Sequence, residues 1–188
     1  MVNKIERILL IGSGLWFFGE GMLGPLFTIF AQRIGGDILE ISWAWAIYLL
    51  VMGIFTVIFG IYSDKINEEK MMLFGYILNA IFTFGYLLVS NPIHLFFVQA
   101  GLGLANALAT PTWDALYAKH EDRKKPGIAW GIADGMPSIV TGIAIVVGGI
   151  IITYFSFSLL FIIMGTIQIM AAIYQARILY YAKKINKN

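Results

Sequence analysis

Apolar residues in this chain do not alternate with polar ones; they run on for twenty residues and more with little interruption. Six such runs stand out, at residues 8–30, 42–62, 71–90, 92–117, 127–153 and 157–179. A helix needs roughly 20 apolar residues to cross a hydrocarbon core of about 30 Å, so each run is long enough for one transmembrane helix. Only short tails and loops remain between them. Turn signals punctuate the runs: Gly35-Gly36 after the first, Asn91-Pro92 before the fourth, and Pro126 where the fifth helix begins. The pattern predicts an all-α membrane protein, one domain spanning residues 1–188 with six spans.

Composition agrees. Apolar side chains make up 59% and charged ones 13%, with a mean hydropathy of +0.80, where soluble domains run about 45–50% and about 25%. The charges set an orientation. With loops assigned to alternate sides, Arg33 stands alone on one side. Lys4, Arg7, Lys65, Lys70, Lys119, Arg123, Lys124, Lys125, Arg177 and the tail lysines share the other. The excess of positive charge predicts that both termini are cytoplasmic, in a multi-pass protein of the cell (inner) membrane. Lys4 and Arg7 precede an apolar run as in a signal peptide, but the run is too long and lacks an A-x-A exit, so it is expected to be retained. The basic residues flank spans and form no basic face, which excludes nucleic acid as a partner. No cysteine is present, which rules out thiolate chemistry, and the isolated His94 and His120 make no metal site. No cofactor or metal is expected.

Small residues suggest which helices approach one another. The fourth run carries Gly101, Gly103, Ala105, Ala107 and Ala109; the fifth carries Gly131, Gly135, Gly142, Gly148 and Gly149. Membrane helices use such residues to bring backbones together. The first, fourth and fifth spans, which also hold Pro25, Pro111 and Pro137 as possible kink points, are expected inside the bundle. The third and sixth, rich in Phe, Ile, Leu and Tyr, are expected to face lipid.

Six helices, both ends on one side, and a charged loop after the second span resemble one half of a major facilitator superfamily transporter. That family's loop signature, G-x-L-x-D-R-x-G-R-[RK], is matched in part by Gly60-Ile61-Tyr62-Ser63-Asp64-Lys65-Ile66-Asn67-Glu68-Glu69-Lys70. Asn67 stands where a second glycine is usual, tolerable if that position needs a left-handed backbone. Glu68 stands where the family has arginine. Leu23-Gly24-Pro25-Leu26, ahead of Arg33-Ile34-Gly35, is a further likeness. Phe96–Gly101 resembles an R-x-x-Q-G stretch without its arginine, and Ala144–Gly149 keeps only the Gly-Gly of the antiporter motif.

The two halves of such transporters are parallel repeats about an axis along the membrane normal, so the resemblance implies that two copies inserted the same way rebuild the usual twelve helices. The expected function is secondary transport by alternating access as a homodimer, moving a small lipophilic or cationic solute. The alternatives are a non-transporting membrane scaffold, or one half of a heterodimeric transporter. An enzyme is excluded by inventory: no Ser–His, paired catalytic Asp or His-rich cluster occurs at workable spacing.

Glu20 is the first candidate. It lies about 12 residues into the first span, or ~18 Å, near the bilayer midplane. An ionisable group there costs at least about 2.5–3.5 kcal/mol and faces a cavity or partner; the competing reading is a protonated carboxyl that only ties helices together. Proton coupling is assigned to Glu20, whose two copies are expected to face one another across the two-fold axis. The family's cavity is lined by the first and fourth spans, so the resemblance adds Trp16, Gln99 and Asn106 to the substrate and proton site. Asp114 and Asp134, toward the cytoplasmic ends of their helices, are expected to form a gate with Lys65, Lys70 and the 123–125 cluster, against the plainer reading of solvated loop-proximal acids. By analogy with the family, Asp64 caps the fifth span of the opposite half at Pro126-Gly127. Trp43, Trp45 and Tyr48 read as an interfacial aromatic belt.

Overall fold

The computed structural model describes residues 4–63, 67–121 and 124–185, and the described residues are helical with no strand. The helices are α1 (Lys4–Gly21), α2 (Leu26–Arg33), α3 (Ile38–Ser63), α4 (Glu68–Gly85), α5 (Pro92–His120), α6 (Pro126–Tyr154), α7 (Phe157–Gln175) and α8 (Arg177–Ile185), with a 3₁₀ turn at Tyr86–Leu88 extending α4. Five spans are long and apolar enough to cross a membrane, and α1 with α2 forms a sixth if that bent pair is one span.

Local chemistry fixes the ends. Asp37 and Glu40 exchange side-chain acceptors for each other's backbone N–H, at 2.8 and 2.9 Å, starting α3 with a reciprocal cap. Asn67, Asn91 and Ser156 accept from the N–H three residues on and start α4, α5 and α7. Asn67 has φ −66°, an extended cap rather than the left-handed residue the loop motif suggested. Gly35, at φ +91°, supplies the left-handed backbone of the turn into α3.

The first apolar run is not one straight helix. α1 stops at Gly21, residues 22–25 form a turn in which Gly24 has φ +27°, and α2 leaves at 46°. Pro25 caps α2, whereas Pro111 and Pro137 lie inside unbroken α5 and α6.

Burial reverses the expected inside and outside. α4, α5 and α7 have 44%, 56% and 44% of their spanning residues buried, against 6% for α3 and 11% for α6. The third and sixth spans are therefore core, not lipid-facing, and the glycine-rich fifth span is mostly on the surface. Apart from Gly148, its glycines are not used against the described residues: a side chain at Gly127, Gly131, Gly135, Gly142 or Gly149 meets nothing within 4 Å. Close approaches lie at three other glycines. Gly75 packs on the α5 backbone at Ala105 and Ala109, Gly103 on α3 at Tyr48, and Gly148 on the Met22 carbonyl at the break after α1.

The apolar interior forms two clusters. One gathers Leu9, Trp16, Met72, Tyr76, Ala109, Leu116 and Ala171 toward the end bearing the chain termini. The other gathers Met22, Phe30, Tyr86, Leu95, Phe161 and Met164 toward the opposite end. Polar residues fall between them on three helices: Glu20 between Trp16 and Met22, Asn79 and Thr83 between Tyr76 and Tyr86, and Gln168 between Met164 and Ala171. The bundle thus carries a polar layer at mid-depth.

Gly148→Ala and Gly75→Ala place a methyl against backbone, and each is expected to destabilise the detergent-solubilised protein by about 1–3 kcal/mol. Gly53→Ala, on open α3 surface, is expected to stay within about 0.5 kcal/mol. Thermal unfolding followed by tryptophan fluorescence distinguishes the three.

Candidate functional site

Two cavities meet at the polar layer. The smaller, about 130 Å³, opens beside the helix break and holds Glu20 and Gln99 with Trp45, Tyr48, Thr83 and Tyr86. The break creates it, because ending α1 at Gly21 places Glu20 in the last turn of a half-helix. Glu20 is half-buried, with the side chains of Trp16 and Asn79 beside its carboxyl. The phenols of Tyr48 and Tyr86 line the same cavity. Tyr86 donates to Gln99 Oε1 at 3.2 Å, which fixes the amide's direction. Asn79 is fully buried, and neither its Oδ1 nor its Nδ2 completes a hydrogen bond.

The larger cavity, about 280 Å³, lies between α1, α4, α5 and α6 and holds Trp16 and Asn106 with Tyr76, Trp113, Asp114 and Asp134. Helical spacing explains the α5 wall: Asn106, Thr110, Trp113 and Asp114 follow at three- and four-residue steps on one face. The four residues expected in a single site are therefore divided, Glu20 and Gln99 in one cavity, Trp16 and Asn106 in the other. The two remain in contact. Asn106 Nδ2 donates to Tyr48 Oη at 2.9 Å across the partition, and Trp16 lies between its cavity and Glu20.

The expected gate residues scatter. Asp114 and Asp134 face the larger cavity, whose lining holds no Lys, Arg or His among the described residues. Lys70 sits in the first turn of α4, its N–H donating to Asn67 Oδ1 at 2.9 Å, and lines neither cavity. Asp64 and Lys65 lie outside the described residues. Glu68, the departure from the loop motif, pairs with Lys119 at the end of α5, with Nζ 2.7 Å from each carboxylate oxygen.

The profile of the Major Facilitator Superfamily matches residues 9–187. The chain belongs to that superfamily. Relatives include an uncharacterized MFS-type transporter of Methanocaldococcus jannaschii, 24% identical over 92% of this chain and 45% of that protein. Another is the multidrug resistance protein MdtG of Erwinia billingiae, 19% identical over 82% of this chain and 38% of that protein. The chain spans about half the length, or less, of these relatives. Superfamily membership and the five or six candidate spans make it a multi-pass membrane protein.

Several residues of this half-length superfamily member escaped the sequence reading. Tyr76, Asn79, Thr83 and Tyr86 follow at steps of three, four and three, a polar stripe down one face of an otherwise apolar span. Gln168 and Gln175, seven apart, repeat the signal on α7. Trp45 and Tyr48, read as an interfacial belt, line the Glu20 cavity.

An amide buried without partners costs stability, and such a cost is kept where function requires it. Asn79→Leu is expected to raise the unfolding temperature while lowering transport at least about tenfold, as judged by parallel melts and proteoliposome flux.

Proposed function

We propose that the chain is a secondary transporter working by alternating access, assembled as a parallel homodimer about a two-fold axis along the membrane normal, with proton coupling through Glu20. The observation that carries the reading is Glu20 itself: a carboxyl at the break of a spanning helix, inside a cavity lined by phenols, an amide and a hydroxyl with no cation among the described lining residues. Broken helices near mid-membrane are where transporters of other folds bind ions and protons. A carboxyl in such a place exchanges a proton with whichever side the cavity faces, and its charge sets what else enters.

The homodimer is supported by the surface left open. α3 and α6 are the most apolar spans, with mean hydropathies of 2.3 and 2.1, and the least buried. At about 100° per residue, Gly127, Gly131, Gly135, Gly142 and Gly149 fall in one stripe roughly 80° wide along α6. Such a stripe admits a close helix partner. Lys125, at the N-cap of α6, makes no side-chain cap; Pro126 has no N–H and Ile128 donates to the Lys125 carbonyl at 3.1 Å, so the Gly127 amide and the positive end of the helix are what this reading offers to Asp64 of a second copy. In this arrangement both termini are cytoplasmic and the two Glu20 carboxyls look onto a shared space.

Purified protein in nanodiscs is expected at the mass of two chains, and Gly135→Leu with Gly142→Leu is expected to return it to one. In proteoliposomes, an imposed pH gradient drives solute flux by the wild type. Glu20→Gln, which keeps volume and hydrogen bonding, is expected to abolish that dependence without changing the mass. Wild-type pH dependence in the Gln variant overturns the coupling assignment. A single-chain mass for the wild type overturns the homodimer in favour of a different six-helix partner.

A further inference from the structure

We propose that the larger cavity is the solute site and that it takes an organic cation, held between Asp114 and Asp134 and the rings of Trp16, Tyr76 and Trp113; the substrate class rests on the transporter reading above. The sequence reading gave these two acids to a gate. Their surroundings point elsewhere. Both line the same cavity, close enough for the charge of one to act on the other. No Lys, Arg or His lines it among the described residues. Two carboxylates sharing a space with apolar walls repel one another, and a cation between them removes that cost.

Three of the neutral polar groups of the lining, Ser13, Asn106 and Thr110, are already engaged. Ser13 donates to the Leu10 carbonyl at 3.0 Å, Thr110 donates to Asn106 Oδ1 at 2.8 Å, and Asn106 donates to Tyr48. A sugar or other polyol, which needs a ring of free donors and acceptors, finds few here. An anion finds two like charges. What stays directed at a ligand is carboxylate and aromatic face.

Those faces are held in place. Trp113 donates Nε1–H to the Leu9 carbonyl at 3.2 Å and stacks on Tyr117 with centroids 4.9 Å apart at 7°. Trp16 meets Tyr76 edge-on at 4.6 Å. Rings fixed by their own partners offer π faces to a cation with little ordering cost. At about 280 Å³ the cavity accepts a compact aromatic ammonium, while the 130 Å³ cavity of Glu20 is left for the proton. Solute and proton thus occupy adjoining sites rather than competing for one carboxyl.

Equilibrium binding of benzyltrimethylammonium to the full chain in nanodiscs, without any gradient, tests this by calorimetry and tryptophan quenching. The wild type is expected to bind it and to leave benzenesulfonate unbound. Asp114→Asn with Asp134→Asn is expected to weaken binding at least about tenfold, since the attracting charge is gone. Asp114→Glu with Asp134→Glu, which restores the charge, is expected to recover most of it. Folding of each variant is checked by its melting curve. Absence of binding by the wild type, equal binding of cation and anion, or an affinity unchanged in the Asn pair overturns the site. Binding that depends on the Asp pair without any gradient-driven flux overturns the transporter reading and leaves the site standing.

Discussion

Hydrocarbon solvates neither a charge nor an unpaired polar group, and the bundle is arranged around that fact. A carboxyl at mid-membrane costs about 2.5–3.5 kcal/mol or more, so Glu20 must be given polar neighbours by the helices themselves. The break after Gly21 places it in a cavity rather than against lipid, and Tyr48, Thr83, Tyr86 and Gln99 from three other elements surround that cavity. Each of these groups would be a liability elsewhere in the span. They are gathered at one depth, with apolar clusters above and below, and Tyr86 donates to Gln99 within the set.

The same constraint explains where the small residues work. Gly75, Gly103 and Gly148 bring α4 to α5, α5 to α3 and α6 to the break, fixing the helices that carry the polar layer. Glycine at Gly12 and Gly19 admits the side chains of Gln175 and Gln168, which are wholly buried between α1 and α7. Gln168 donates to the Trp16 carbonyl at 3.0 Å, so the glutamine that occupies the space of Gly19 also supports the helix turn ahead of Glu20. Packing and polarity are one design here. At the glycines of α6 outside this set, a side chain would meet none of the described residues within 4 Å.

Much of this was legible in the sequence because the bilayer imposes length and apolarity on every span. The six runs, the break at Asn91-Pro92, the proline start of α6 and the exceptional place of Glu20 all follow from local rules. Which face of a span is buried does not. A glycine-rich helix reads as interior whether its partner lies in the same chain or outside it, so α6 was assigned inward. Bulky α4 and α7 were assigned outward although Tyr76, Asn79, Thr83, Gln168 and Gln175 already marked an inward stripe. Composition counted over a whole span hides such a stripe; spacing reveals it. The division of the expected site into two cavities depends on the rotation of Trp16 and Asn106 about their helix axes, and no local signal sets that.

The partition between the cavities is thin. It consists of the Trp16 indole, packed edge-on against Tyr76, and the hydrogen bond from Asn106 to Tyr48. Each member looks both ways: Trp16 toward Glu20 and toward Asp114 and Asp134, Tyr48 toward Glu20 and, through Asn106, toward the same two acids. A carboxylate at Glu20 only accepts hydrogen bonds, whereas the protonated acid also donates one. Gaining or losing a proton there changes the best arrangement of the Trp16 N–H and the Tyr48 hydroxyl. Trp16 lines the larger cavity and Tyr48 holds its Asn106, so on the proposed reading the change reaches a solute bound there without any movement of a helix. On the transporter reading this is enough for coupling at the level of binding, since a site whose wall has two arrangements binds its ligand better in one of them, and by linkage the ligand then favours the matching protonation state.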